Sequence, residues 1–228
     1  LRTLAALAAT MMLSCFSAMK FRSILLLLLL LAGLPRLALA ETLLIVGDSL
    51  SAAYGIPVDQ GWVALLQRQL DAEHYPCTIV NASISGDTTA NARARLDQTI
   101  TRHQPAIVIL ELGGNDGLRG LSLAAMKENL AAMISTARQS GAQLLLVGVE
   151  LPPNYGKHYT DKFRAVYREL AAEHQVALLP SLVDGIGTRA ELMQADGIHP
   201  NGRAQALIAA RVREELQPLL QRQALTSD

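Results

Sequence analysis

Five short aliphatic runs, each separated from the next by a stretch with helical spacing, constrain this chain's fold more than any other feature. The runs are TLLIV (42–46), CTIV (77–80), AIVILEL (106–112), QLLLVGV (143–149) and VALL (176–179). They do not alternate apolar with polar residues, which is how strands read when both faces are buried. Between them, 62–74, 89–103, 122–140 and 159–174 place apolar residues at helical spacing. A last helix is expected over about 202–217, with Pro218 ending or kinking it. Strands that alternate with helices build right-handed βαβ units. The expected fold is therefore α/β: a five-stranded parallel sheet between two layers of helices, a three-layer α/β/α sandwich. Ligands of such sheets bind beyond the carboxyl ends of the strands, so the loop after each strand carries the functional reading.

Upstream of residue 41 the pattern changes. Met19-Lys20-Phe21-Arg22 is a short basic start, SILLLLLLLAGL (23–34) an apolar stretch, and Ala38 to Ala40 a small-residue end. These are the three parts of a secretory signal peptide, and the apolar stretch is short for a membrane span. Residues 1–40 are thus expected to be a leader and signal peptide cut after Ala40, leaving a domain over 41–228 that is periplasmic or secreted. Residues 1–18 read as an over-extended start or an extra leader. MLSC (12–15) has the outline of a lipoprotein cleavage site, but the apolar run before it is broken, and lipidation of Cys15 is not expected.

The domain so defined has 188 residues, enough for one proper core. It carries sixteen basic and twenty acidic residues, a net charge of −4. That balance argues against nucleic acid and against anionic membrane surfaces as partners. Cys77 is its one cysteine, so no internal disulfide can form and stability must come from the core. No repeat, low-complexity tract or linker interrupts it.

The strand ends bring chemistry together. GDSL (47–50) follows the first run, NASISGDTT (81–89) the second, GGNDGLRG (113–120) the third and ELPPNYG (150–156) the fourth; DGIHPNG (196–202) lies after the fifth. A serine, backbone donors, an amide and an Asp–His pair on one sheet edge are the parts needed for acyl transfer. Serine is a poor nucleophile until a histidine takes its proton and a carboxylate orients that histidine. Of five histidines, His74, His103 and His174 sit near predicted helix ends and His158 in a polar loop. His199 precedes Pro200, which holds it extended, and Asp196 lies three residues before it; Asn201 can cap the next helix. The reading is Ser49 as nucleophile, His199 as base and Asp196 as its orienter. The Ser49 and Gly86 N–H groups and the Asn115 side-chain amide are the candidate oxyanion donors. Taken singly, Asn115 is also an ordinary turn residue, Gly86 a loop glycine and 196–201 a capping turn. Asp48 stays open between a structural and a catalytic role.

VGDSLS, the SISGDT loop, GGNDGLRG and DGIHPN resemble, in order and spacing, the four blocks of the SGNH/GDSL hydrolase superfamily. The Ser, Gly, Asn and His that name it match Ser49, Gly86, Asn115 and His199, and the triad acid matches Asp196. The similarity covers nearly all of 42–220. The chain most resembles the group of periplasmic multifunctional acyl hydrolases with acyl-CoA thioesterase, lysophospholipase and arylesterase activities. GLRG (117–120) is similar to that group's mobile loop over the acyl groove. The resemblance implies a flavodoxin-like sheet, no metal or other cofactor, and a broad range of small acyl ester and thioester substrates through an acyl-enzyme. A monomer without stable membrane insertion after leader cleavage is expected.

The loops 117–123 and 150–156 are rich in small and aliphatic residues suited to an acyl groove. Candidate substrate contacts are Asp116, Gly117 and Leu118 on one side, and Pro152 or Pro153 with Tyr155 on the other. A carbohydrate O-acetylesterase is the alternative within the class; it should show more aromatic and polar loops. A metal-dependent phosphoesterase built on Asp48, Asp87, Asp116 and Asp196 is a second alternative, and a non-catalytic anion binder a third. No G-x-S-x-G elbow and no P-loop is present. GIGTRA (185–190) reads as a surface loop.

Overall fold

The computed structural model describes residues 41–227, with side chains to residue 223; the expected leader, 1–40, lies outside the described residues. Strands β1 (Glu41–Gly47), β2 (Cys77–Asn81), β3 (Ile107–Glu111), β4 (Gln143–Val147) and β5 (Ala177–Leu179) form one sheet. Their order is β2-β1-β3-β4-β5 and every neighbouring pair is parallel. This is the flavodoxin-like order, in which the winding direction reverses between β1 and β3 and opens a crevice at their carboxyl ends.

The register explains why continuous aliphatic runs were needed. Leu43 pairs with Ile79 and Ile107, and Ile107 with Gln143, so odd-numbered residues face one side along the whole sheet. Leu43, Ile45, Ile107, Ile109, Leu145, Val147 and Leu179 pack on that side against helices α1 (Trp62–Ala72) and α6 (Gly202–Ser227). Leu44, Val46, Val108, Leu110, Leu144 and Leu146 face the other side. There they meet α2 (Thr89–His103), α4 (Leu123–Gln139) and α5 (Lys157–His174). Both faces of the central strands are buried, so truncating such a leucine to alanine typically costs about 2–5 kcal/mol.

Two expectations are corrected. Pro218 does not end the last helix, which continues to Ser227. A proline leaves the carbonyl four residues back without its donor. Here Glu214 and Pro218 are on the exposed face, while Leu219 and Leu220 beyond are buried in the core. Water can serve the freed carbonyl and the apolar contacts carry the helix on. The loop after β3 is also more ordered than read: residues Gly114–Leu118 form a short helix, α3, opened by the Gly117 N–H donating to the Gly113 carbonyl at 2.9 Å.

Candidate active site

Gly47 ends β1, and its lack of a side chain is a matter of space. A Cβ there would lie 2.8 Å from Cβ and Oγ of Ser51 and 2.9 Å from Glu111 Oε2. The chain therefore folds back over the strand end in a tight turn. The Ala52 N–H donates to the Asp48 carbonyl (3.0 Å) and the Tyr54 N–H to the Ser49 carbonyl (3.2 Å). The Trp62 indole donates to the Leu50 carbonyl at 3.1 Å, and the Ser51 hydroxyl to Glu111 Oε2 at 2.7 Å. Ser49 stands on this braced turn.

The candidate base arrives from the other end of the chain. A bridge between Met193 and Pro200 and a 2.8 Å bond from the Gln194 N–H to the His199 carbonyl close a narrow loop. Within it Asp196 Oδ1 accepts the N–H groups of Ile198 (2.9 Å) and His199 (3.0 Å), while Oδ2 lies 2.7 Å from His199 Nδ1. His199 Nε2 is 2.8 Å from Ser49 Oγ. The Arg203 N–H donates to Asn201 Oδ1 at 2.9 Å, capping α6 directly behind the histidine. The Tyr54 ring lies against the imidazole, centroids 4.5 Å apart. Tyr54 was not found from sequence; nothing in the local pattern marks a turn residue whose partner is a histidine so far along the chain.

The oxyanion candidates share this cleft. Ser49, Gly86, Asn115 and His199 all line one cavity of about 450 Å³. The loop carrying Gly86 runs beside β1, with the Ala82 N–H on the Ile45 carbonyl (2.8 Å) and the Ile84 N–H on the Gly47 carbonyl (3.1 Å). Gly86 has φ +85°, and a Cβ there would meet only the end of the Arg119 side chain, at an ordinary 3.7 Å. Conformation rather than crowding therefore demands glycine at this position. Asn115 Nδ2 donates one hydrogen to Asp48 Oδ2 at 3.1 Å. An amide nitrogen has two, which leaves the second for another acceptor.

Three carboxyls around the serine differ in state. Asp48 is 2 % exposed and its pKa is raised to about 6, chiefly by burial, against the opposing pull of the Leu50 N–H, His199 and Asn115. Glu111, fully buried beneath the turn, is pushed well above the usual carboxylate range by burial and then by the Asp48 charge. Asp196 goes the other way. Burial raises it, but hydrogen bonds from the His199 N–H and imidazole and the Ile198 N–H outweigh this and hold it at about 2.

Of the expected substrate contacts, Leu118, Pro152 and Pro153 line the cleft, and Asp116, Gly117 and Tyr155 stand outside it. The Asp116 carboxylate is buried and turned to Thr89, accepting its N–H (2.9 Å) and hydroxyl (2.6 Å). Gly117 packs where a Cβ would strike Leu151 and Phe163. Tyr155 backs the wall, its hydroxyl donating to the Leu118 carbonyl at 2.9 Å. The segment 185–190, read only as a surface loop, supplies Gly187 and Thr188 to the far wall beside Val183 and Met193. Val149 and Leu151 complete an apolar side. The four strand-end acids do not gather into a ligand set. Asp87 pairs with Arg95 at 2.8 Å, Asp116 with Thr89 and Asp196 with His199. Among the described residues no three His, Cys, Asp or Glu side chains converge as metal ligands would. Nor, among the described residues, is any helix long and apolar enough to cross a membrane.

The pattern of the GDSL-like lipase/acylhydrolase family matches residues 45–207. Esterase TesA of Pseudomonas aeruginosa is 51 % identical over 187 residues, covering 82 % of this chain and 93 % of that protein. Thioesterase 1/protease 1/lysophospholipase L1 of Escherichia coli K12 is 44 % identical over 185 residues, 81 % of this chain and 88 % of that protein. The crystal structure of TesA superimposes with a TM-score of 0.77, covering 78 % of this chain and 99 % of the TesA chain. With the whole cleft inside the matched span, this chain belongs to the GDSL-like lipase/acylhydrolase family.

Proposed function

We propose that this protein hydrolyses acyl esters and thioesters, lysophospholipids among them, through a serine acyl-enzyme. The observation that carries the reading is the continuous line from Asp196 through His199 to Ser49, with spacings of 2.7 and 2.8 Å, opening into a cleft with an apolar side. Ser49 Oγ attacks the acyl carbonyl as His199 Nε2 takes its proton. Asp196 accepts a hydrogen bond from Nδ1–H without taking the proton, which fixes the tautomer that leaves Nε2 free and stabilises the imidazolium that forms. The negative oxygen of the tetrahedral intermediate receives hydrogen bonds from the Ser49 and Gly86 N–H groups and from Asn115. Collapse expels the alcohol or thiol, which takes its proton from His199. Water, deprotonated by the same nitrogen, then attacks the acyl-serine; the carboxylic acid departs and the Ser49 hydroxyl is restored.

The cleft wall formed by Leu118, Val149, Leu151 and Pro152 supports acyl chains over acetylated sugars. All site groups come from a single chain, in keeping with a working monomer. The basic, apolar and small-residue succession in 1–40 supports export to the periplasm or beyond. The test uses a short p-nitrophenyl ester. Ser49→Ala should lower kcat by at least about 10⁴-fold, the scale of losing a triad member. A variant that kept most of its activity would remove the mechanism. A chain-length series of esters and thioesters with the unmodified protein tests the substrate class; preference for acetylated sugars over medium acyl chains would reverse it.

A further inference from the structure

An asparagine side chain fills nearly the same space in two orientations half a turn apart. One turns the amide nitrogen toward a neighbour, the other the carbonyl oxygen. At an oxyanion site the difference is between a donor and a repelling acceptor, so something must choose. Beside Asn115 the chooser is visible. Asp48 Oδ2 lies 3.1 Å from Nδ2, and an ionised carboxylate offers acceptors only.

We propose that Asp48 is the positioning residue of the oxyanion site, holding the Asn115 amide with its nitrogen turned to the acyl group. The inference rests on the proposed oxyanion role of Asn115 and assigns the residue that makes that role possible. Asp48 is itself fixed. Its Oδ1 accepts the Leu50 N–H at 3.1 Å, and its carbonyl accepts the Ala52 N–H at 3.0 Å. At 2 % exposure, water cannot readily take its place. With Asn115 reversed, two acceptor oxygens would face each other across this short gap, and a buried acceptor would lose its donor. One Nδ2 hydrogen is used on Asp48 and the other remains for the substrate oxygen. Gly114 supports the approach, since a Cβ there would come within 3.2 Å of Asp48 Oδ2.

Asp48→Asn tests this with little change of shape. The new amide can donate to the Asn115 carbonyl oxygen and so favours the reversed orientation. With a p-nitrophenyl ester, kcat should fall about 10- to 100-fold while KM stays within about twofold, because the lost interaction belongs to the transition state. Asn115→Ala should cost about 10²- to 10³-fold in kcat. The double variant should be no slower than Asn115→Ala alone, since Asp48 acts through Asn115. Full multiplication of the two losses, or an Asp48→Asn enzyme of undiminished kcat, would overturn the proposal. A silent Asn115→Ala would overturn the oxyanion reading itself along with it. Cooperative thermal melts check that each variant is folded. The unmodified protein gives an independent reading by hydrogen exchange in NMR: one Asn115 side-chain proton should exchange slowly and its twin fast. Two fast protons would mean that Asp48 does not hold the amide.

Discussion

Asp48 and Asp196 are the same residue type, each close in sequence to a residue of the Ser49–His199 pair, and the fold drives them to opposite states. Asp196 is over one third exposed by its side chain, receives three donors from its own loop and is held at about 2. Asp48 is almost wholly buried, receives two donors and is raised to about 6. The number of N–H groups aimed at a carboxylate, set against its burial, decides whether it is a firm anion or a reluctant one. The firm anion faces the imidazole, which the proposed mechanism makes cationic. The reluctant one faces a neutral amide, where its task is orientation.

Asp196→Asn should break the comparison most visibly. An amide in that place can donate to Nδ1 and stabilise the wrong tautomer, so kcat should fall by about 10⁴-fold, by the precedent of serine-hydrolase triads. A loss below about tenfold would show that loop backbone alone holds the imidazole.

The two acids should also part company in stability. Asp48, raised in the folded state, contributes stability that is present below its unfolded value of 3.8 and lost as pH rises through about 6. Asp196, depressed, contributes stability present above 3.8 and lost as pH falls through about 2. At pH 8 the rise from 3.8 to about 6, its hydrogen bonds already included, corresponds to at most about 3 kcal/mol held against ionised Asp48; with the poorer fit of the new amide, Asp48→Asn should gain about 1 kcal/mol. Thermal melts should show a rise of about 2–4 °C at pH 8 that vanishes at pH 4. Asp196→Asn should lower the midpoint at pH 7 and have less effect near pH 2. A variant at Asp48 that lost stability at pH 8 would mean its hydrogen bonds outweigh its burial.

The smallest effect sharpens the base side. Tyr54→Ala removes the ring packed on His199 and should lower kcat/KM by about threefold, the scale of an aromatic contact. An unchanged value would leave the imidazole held by Asp196 alone.

Much of the fold was legible because buried parallel strands write themselves as unbroken aliphatic runs. The residues of the Asp196–His199–Ser49 line were legible too, since Pro200 and the three-residue step from Asp196 to His199 are local facts. The candidate cleft residues were legible only in part, since Leu118, Pro152 and Pro153 line the cleft while Asp116, Gly117 and Tyr155 do not. Asp116 and Leu118 are two residues apart on α3, yet one turns inward to Thr89 and the other lines the cleft. Which way a loop side chain turns depends on partners distant in sequence. For the same reason Thr188 and Met193 went unseen as walls, and Pro218 was misjudged because the anchoring burial of Leu219 and Leu220 is a tertiary matter.

By itself, then, the sequence determined the order of strands and helices and the residue types that gather at one sheet edge, because periodicity and short-range sterics act within a few residues. The tertiary structure alone decided which N–H groups reach which carboxylate. It thereby settled the states of Asp48 and Asp196, because desolvation and hydrogen-bond supply arise only when distant segments close over a charge.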